Sequence, residues 1–403
     1  MRVLIVHNFY GSANPSGENF AVLAESKLLK EQGHEVVEFF VSSDDLSKNP
    51  VIASLHGGLS TPWNPFSAQR LKRLINATDP DLIHVHNTFP VISPSIFSGI
   101  NRSKPIILTL HNYRLVCPAA IPMRSGKVCT LCIDKKSVIP SLKHGCYRNS
   151  RIATTPLAMN VSLHRKLDTW NKHISSFIVA TSFQKNTIAD AGIDKQRVHV
   201  KPYFLDNSSK PLNWNDRQEQ IVYAGRLTEE KGVDLLIKAW ELWGEKAPHL
   251  VIIGSGELET TLQAEVVKKN LNIRFLGNCS HEETQMEIGK SKLIIVPSRW
   301  YEVFGIVLIE AFSTATPALV SSLGSLPAIV ENGKYGSVFQ NEDANSLLKE
   351  TQEMWKNQTL LEQIGIKCRG NYLQNYTPEA NYSKLVKIYT NAVSAHHSQI
   401  PHN

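Results

Sequence analysis

The sequence predicts an α/β protein built from two doubly wound domains that face a central cleft. Three observations carry that prediction. Short apolar strands alternate with helical stretches along the chain, the alternation breaks at a polar, turn-rich segment near residues 203–219, and it then restarts. A chain of 403 residues also exceeds what one hydrophobic core usually covers.

In chain order, "RVLIVHN" reads as a buried first strand and "SGENFAVLAESKLLKEQG" as a helix closed at Gly33, because its apolar residues recur at helical spacing. "HEVVEFFV", "DPDLIHVHN" and "KPIILTLHN" follow as strands. "SSFIVATS" is another, with "QKNTIADAGI" as the helix after it. Near-continuous apolar strands separated by helices imply a parallel sheet covered on both faces. "YFLDNSSKPLNWNDRQE" reads as a linker. Beyond it come the strands "QIVYAGRL", "PHLVIIGSG", "NIRFLG", "KLIIVPS" and "TPALVSS", with "VDLLIKAWELWGEK" as the clearest intervening helix. The expected domains are residues 1–205, with a basic, cysteine-rich loop at 114–150, and residues 206–380. A last helix within 381–403 could pack on either domain and is expected to return to the first.

Composition agrees with a globular protein: 42% of residues are hydrophobic and 20% charged, and no apolar run reaches the eighteen or so residues that a membrane span needs. "MRVLIVHNFYGS" suits a first strand better than a signal peptide, so a cytoplasmic protein is expected. The net charge of +7 is uneven. Residues 101–173 hold thirteen Lys or Arg against Asp134 and Asp168, a surplus of +11, and the remainder sums to −4. Such a segment is either a solvated basic face or a contact for an anionic partner, a phosphate-bearing substrate or the inner membrane face. No nucleic-acid module accompanies it, so nucleic acid is not expected.

In doubly wound sheets ligands bind beyond the carboxyl ends of the strands, and four stretches place charged or glycine residues there. "YAGRLTEEKG" supplies Arg226 and Lys231 at a helix entrance, a pairing that suits a diphosphate. The alternative is that both cations merely pair with Glu229 and Glu230. "IIGSGELE" sets Gly254 and Gly256 where backbone must approach something closely.

"WYEVFGIVLIE" is the most informative of these stretches. In one continuous helix, Glu302 and Glu310 would be turned through about 800°, roughly 80° apart in azimuth and two turns apart in height. They would not share a site. If Gly305 opens a helix instead, Glu302 lies in the preceding loop and Glu310 in the first turns, and both can accept hydrogen bonds from ligand hydroxyls.

Taken together, "HNFYGSANPSGENFAVLAESKLLKEQGHEVVEF", "DPDLIHVHN", "TLHNYRLVCP", "YAGRLTEEKG" and the Glu-x7-Glu stretch resemble the retaining glycosyltransferases of family 4, which have the GT-B architecture of two Rossmann-like domains. The resemblance covers nearly the whole chain. It implies that Arg226 and Lys231 neutralise the diphosphate of a nucleotide-sugar donor, UDP- or GDP-linked, and that Glu310 binds the ribose hydroxyls. It further implies that Glu302, with the backbone at Phe304 and Gly305, holds the donor sugar, that His111 sits at the reaction centre, and that Gly17 lets backbone approach the diphosphate. Many members carry two adjacent glycines where this chain has Ser16 and Gly17. The acceptor would be a glycan or a lipid-linked glycan, in surface polysaccharide or glycoconjugate biosynthesis. No metal would be required, because cations and helix N-termini stabilise the departing diphosphate. The alternatives are a non-catalytic sugar-nucleotide binder and a GT-B epimerase or phosphorylase.

Two further patterns bear on metals. Cys117, Cys129, Cys132 and Cys146 form C-x11-C-x2-C-x13-C, which suits a structural zinc, reduced structural thiols or a disulfide. His84 and His86 share one strand face, as a metal pair would, although satisfied core histidines are the preferred reading. Asp79-Pro80-Asp81 reads as a turn rather than a metal site.

Overall fold

A computed structural model describes residues 1–9, 17–46, 58, 60–100, 103–206, 209–331 and 333–399. The stretch preceding Gly17 in the first strand–helix loop, residues 10–16, lies outside them, as do residues 207 and 208 of the linker.

The chain forms two compact units. One comprises Met1–Pro122, Cys129–Pro202 and Asn381–Asn403, and the other Met123–Val128 and Tyr203–Ala380.

The first unit holds a six-stranded parallel sheet of β1 (Arg2–Phe9), β2 (Glu35–Ser42), β3 (Leu82–Asn87), β4 (Ile106–Thr109), β7 (Ser176–Val179) and β8 (Val198–Val200), in the order β2-β1-β3-β4-β7-β8. A two-residue hairpin pair, β5 (Met123–Arg124) and β6 (Lys127–Val128), belongs to the second unit. Every residue of β3 and β4 is buried, including the polar His84, His86 and Asn87 of β3. The last helix, Pro378–Gln399, adds Leu385, Ile388, Tyr389 and Ala392 to the same core as Val3, Ile5, Leu82 and Ile107.

The second unit repeats the plan with β9 (Gln220–Ala224), β10 (His249–Ile253), β11 (Ile273–Gly277), β12 (Leu293–Val296), β13 (Ala318–Ser321) and β14 (Gly336–Phe339), all parallel, in the order β11-β10-β9-β12-β13-β14. This is the order 3-2-1-4-5-6 of dinucleotide-binding sheets, with the strand order reversing between β9 and β12. All ten strands read from the sequence form. Beyond them the structure adds the edge strands β8 and β14 and the hairpin. It also adds several helices, among them Arg151–Lys166, whose interior Pro156 and basic end obscure its period in sequence. Among the described residues, no helix is long and apolar enough to cross a membrane.

Candidate active site

In the second unit the carboxyl ends of β9 and β12 carry the charged groups. Gly232 adopts a left-handed conformation at φ 69° between the short turn Glu229–Lys231 and the helix Val233–Trp243, and a Cβ there would lie 2.2 Å from the Pro297 carbonyl oxygen. Only glycine lets the Lys231 loop press onto the loop after β12. Lys231 Nζ consequently lies 2.6 Å from Glu302 Oε1, which also accepts from the Ser298 hydroxyl at 2.7 Å. Glu302 is 5% exposed. Burial alone would raise its pKa, but the Lys231 charge and these hydrogen bonds hold it below the usual carboxylate value.

Gly305 has φ 80° and opens the helix Ile306–Ser313, so Glu302 does precede the helix and Glu310 lies within it. The Phe304 ring is buried edge-on against Tyr203 and Tyr376, with centroids 5.6 and 5.8 Å away, which leaves its backbone as the part able to meet a ligand. Glu310 Oε1 lies 3.1 Å from His281 Nδ1, at the start of the helix His281–Lys290, and this contact raises the imidazole pKa. Arg226 lies 2.7 Å from Glu230 and its side chain is 61% exposed.

One half of the simple-pairing alternative is therefore realised, at Arg226. Lys231 reaches across to Glu302 instead.

The close approach expected at Gly254 and Gly256 is made to the protein's own backbone. A Cβ at Gly254 would fall 2.0 Å from the Gly225 carbonyl oxygen, and one at Gly256 would fall 2.4 Å from that of Leu227. The two loops interlock through Leu227 N–H to Ser255 C=O and Leu258 N–H to Leu227 C=O.

In the first unit, Gly17 is the exposed first residue of the helix Gly17–Glu31, and His111 follows the carboxyl end of β4. His86 Nδ1 lies 3.0 Å from His111 Nε2. Burial, with His86 and His7 nearby, drives the His111 pKa well below its ordinary value, so the ring is neutral. A cavity of about 70 Å³ adjoins it, lined in part by Asn87, Phe97, Arg114, Asn160 and Trp170.

Sequence reasoning missed Glu18. Its carboxylate accepts from Asn87 Nδ2 at 2.5 Å and from Asn112 Nδ2 at 3.4 Å, and burial pushes its pKa up to about 7. An acidic residue immediately after the loop glycine was the one available signal. His281 was missed as well, since nothing local marks it.

His84 and His86 are buried, in keeping with the core reading. His84 Nε2 lies 2.7 Å from the Thr109 hydroxyl, and with Glu25 the two histidines make the one group of three metal-ligand types gathered within 4.8 Å among the described residues. The four clustered cysteines form no disulfide, and no three of their sulfurs gather that closely. Burial, with the thiols of Cys132 and Cys146 nearby, pushes the Cys117 thiol up to about 12. Asp79 caps the helix Pro65–Thr78 in a left-handed conformation and Asp81 accepts the Arg2 backbone N–H, which is turn chemistry.

This pairing of two such sheets, with cations and carboxylates at their carboxyl ends, defines a GT-B glycosyltransferase fold. Residues 17–208 match the family described as Glycosyltransferase Family 4, and residues 205–370 match Glycosyl transferases group 1. The chain belongs to glycosyltransferase family 4.

A protein from the cps region of Klebsiella pneumoniae, described as an uncharacterized 41.2 kDa protein, is 28% identical over 43% of this chain; the match spans half of that relative, 50% of its length. Among solved structures, sucrose-phosphate synthase from Thermosynechococcus elongatus superimposes with a TM-score of 0.71 at 16% identity, covering 98% of this chain and 99% of that one. The Anabaena protein HepE, solved in complex with UDP, superimposes with a TM-score of 0.66 at 14% identity, covering 97% and 100%.

Proposed function

We propose that the protein is a retaining glycosyltransferase that moves a sugar from a UDP- or GDP-linked donor to a glycan or lipid-linked acceptor in surface polysaccharide or glycoconjugate biosynthesis. The observation that carries this reading is the set of three ion pairs in the second unit, Lys231 with Glu302, Arg226 with Glu230 and His281 with Glu310, around the helix opened by Gly305. Each pair holds a charge that a nucleotide sugar would take over. UDP in the HepE structure favours the same ligand class.

In this reading Lys231, Arg226 and the backbone N–H groups at Gly305 and Ile306 receive the diphosphate. Glu310 accepts the ribose hydroxyls, and Glu302 accepts a hydroxyl of the sugar. Gly17 lets the backbone approach the diphosphate, Gly254 and Gly256 keep the loops of the second unit close-packed, and His111 serves the reacting sugar. The bond from the anomeric carbon to the phosphate oxygen breaks with its electron pair on the diphosphate. The acceptor oxygen bonds to the same face, and its proton passes to the departing phosphate. The cations stabilise the charge that builds up on that leaving group, so catalysis requires no metal.

The basic surplus of residues 101–173, beside exposed Ile139 and Ile152, would favour an anionic surface at the inner membrane face. Zinc at Cys117, Cys129, Cys132 and Cys146 is a separate proposal. It requires the sulfurs to draw together to the roughly 2.3 Å bonds of a tetrahedral thiolate site, and metal analysis of the purified protein tests it.

The deciding experiment is thermal stabilisation by UDP-, GDP-, ADP-, dTDP- and CMP-sugars with and without EDTA, followed by NMR assignment of the product's anomeric configuration. A shift with one nucleotide that EDTA leaves intact, and a retained anomer, support the reading. An inverted product overturns it, as does the absence of any shift.

A further inference from the structure

The first unit buries a polar chain that ends at His111. Glu25, in the helix Gly17–Glu31, is buried, and its Oε2 accepts from Lys201 Nζ at 2.7 Å, while Asn381 Oδ1 lies 3.1 Å from the same ammonium. Burial opposes ionisation of Glu25, but Lys201 and the histidines hold its pKa well below the usual value. Glu25 Oε1 faces His84 Nδ1 at 3.0 Å and His86 Nε2 at 3.4 Å. His84 is further held by the Tyr389 hydroxyl at 2.7 Å and by Thr109.

The spacing of Glu25, His84 and His86 would admit a metal ion. Lys201 already supplies the counter-charge, and both nitrogens of His84 have partners, so a divalent ion would bury excess positive charge.

The proton positions follow from this geometry. A lone pair on His86 Nε2 facing an anionic, buried oxygen would leave two orphaned acceptors, which is costly, so Nε2 carries the proton. Nδ1 of His86 is then an acceptor. His111 Nε2, 3.0 Å away, must be the donor, which puts the His111 lone pair on Nδ1.

We infer that Glu25, charge-balanced by Lys201 and acting through His86, is a positioning residue that fixes His111 as the Nε2–H tautomer, the form in which Nδ1 carries the lone pair. This inference rests on the proposed role of His111 in sugar transfer. The arrangement also makes the last helix part of the device, through Tyr389 and Asn381.

The test is a long-range proton–nitrogen NMR spectrum of histidine-labelled full-length protein, with the His111 signal assigned by its loss in H111N. A neutral Nε2–H form in the wild type supports the inference; the Nδ1–H form or an even mixture overturns it. That measurement needs neither a variant at Glu25 nor any activity, so it stands even if the transferase reading fails. Glu25→Gln alone strands Lys201, so E25Q is paired with E25Q/K201Q, which removes both charges. In the double variant His111 is expected to populate both tautomers, with kcat lowered about 10-fold or more and donor KM unchanged. A folded double variant with wild-type tautomer and kcat overturns the inference.

Discussion

The Lys231 ammonium and the Glu302 carboxylate lie 2.6 Å apart at the carboxyl end of the second sheet, each the other's principal counter-charge. Removing one partner of such a pair strands a buried charge, whereas removing both does not. Lys231→Met is expected to cost about 3 kcal/mol of stability, and Lys231→Met/Glu302→Gln much less. Urea unfolding of the three proteins checks the difference, and equal losses would show that the pair is not coupled.

His281 and Glu310 set a pH dependence. The folded-state pKa of His281 is raised by Glu310, so its contribution to stability is fully present below the ordinary histidine value and is lost as pH rises through the raised value. The melting-temperature gap between wild type and His281→Ala is therefore expected to be wider at pH 6 than at pH 8.5. A gap that does not vary with pH would exclude the ion pair as its source.

Glu18 acts in the same direction at lower pH. Its folded pKa of about 7 exceeds the ordinary 4.5, so the fold prefers the protonated acid and stability falls as pH rises between those values. Glu18→Gln is expected to flatten that part of the profile, as read by thermal melts from pH 4.5 to 8.

Binding and turnover should separate between the two units. Glu310→Ala is expected to weaken nucleotide binding by about tenfold or more, as loss of a charged hydrogen-bond acceptor does. His111→Ala should leave the nucleotide Kd nearly unchanged and lower kcat. Calorimetry and initial rates on both variants distinguish them, and equal nucleotide binding by Glu310→Ala and wild type would remove the ribose assignment.

Gly254 and Gly333 offer a controlled comparison of two glycines with positive φ. An added Cβ would overlap the Gly225 carbonyl at Gly254 but would meet nothing within 4 Å at Gly333. Gly333→Ala is expected to cost about 1 kcal/mol, for backbone strain alone, and Gly254→Ala at least about 3 kcal/mol. Denaturant melts measure both.

What the sequence made legible follows from how local each signal is. The strands are marked by apolar runs such as "IIL" in β4 and "LIIV" in β12, and the Gly305 helix start is marked by its own glycine, so both are visible without any partner. Glu18 is different, because the asparagines that hold its carboxylate are 69 and 94 residues away. The same holds for Lys201, which meets Glu25 across 176 residues. Edge strand β8 is three residues of mixed polarity and gives no run to detect. Gly254 and Gly256 were visible as glycines, but the loop that they accommodate belongs to a neighbouring strand.

The closing helix has a consequence for how the protein is made on the ribosome. Leu385 and Tyr389 seal a core whose residues outside the closing helix, from Val3 to Ile178, are translated about two hundred residues earlier or more. The second unit draws on one long continuous stretch, Tyr203–Ala380, and the short hairpin before it, so all of its residues have been synthesised before Leu385 is added. Part of one apolar face of the nascent amino-terminal sheet therefore stays uncovered while the rest of the chain is synthesised. Emergence of the closing helix, rather than of the first strands, becomes the event that completes it.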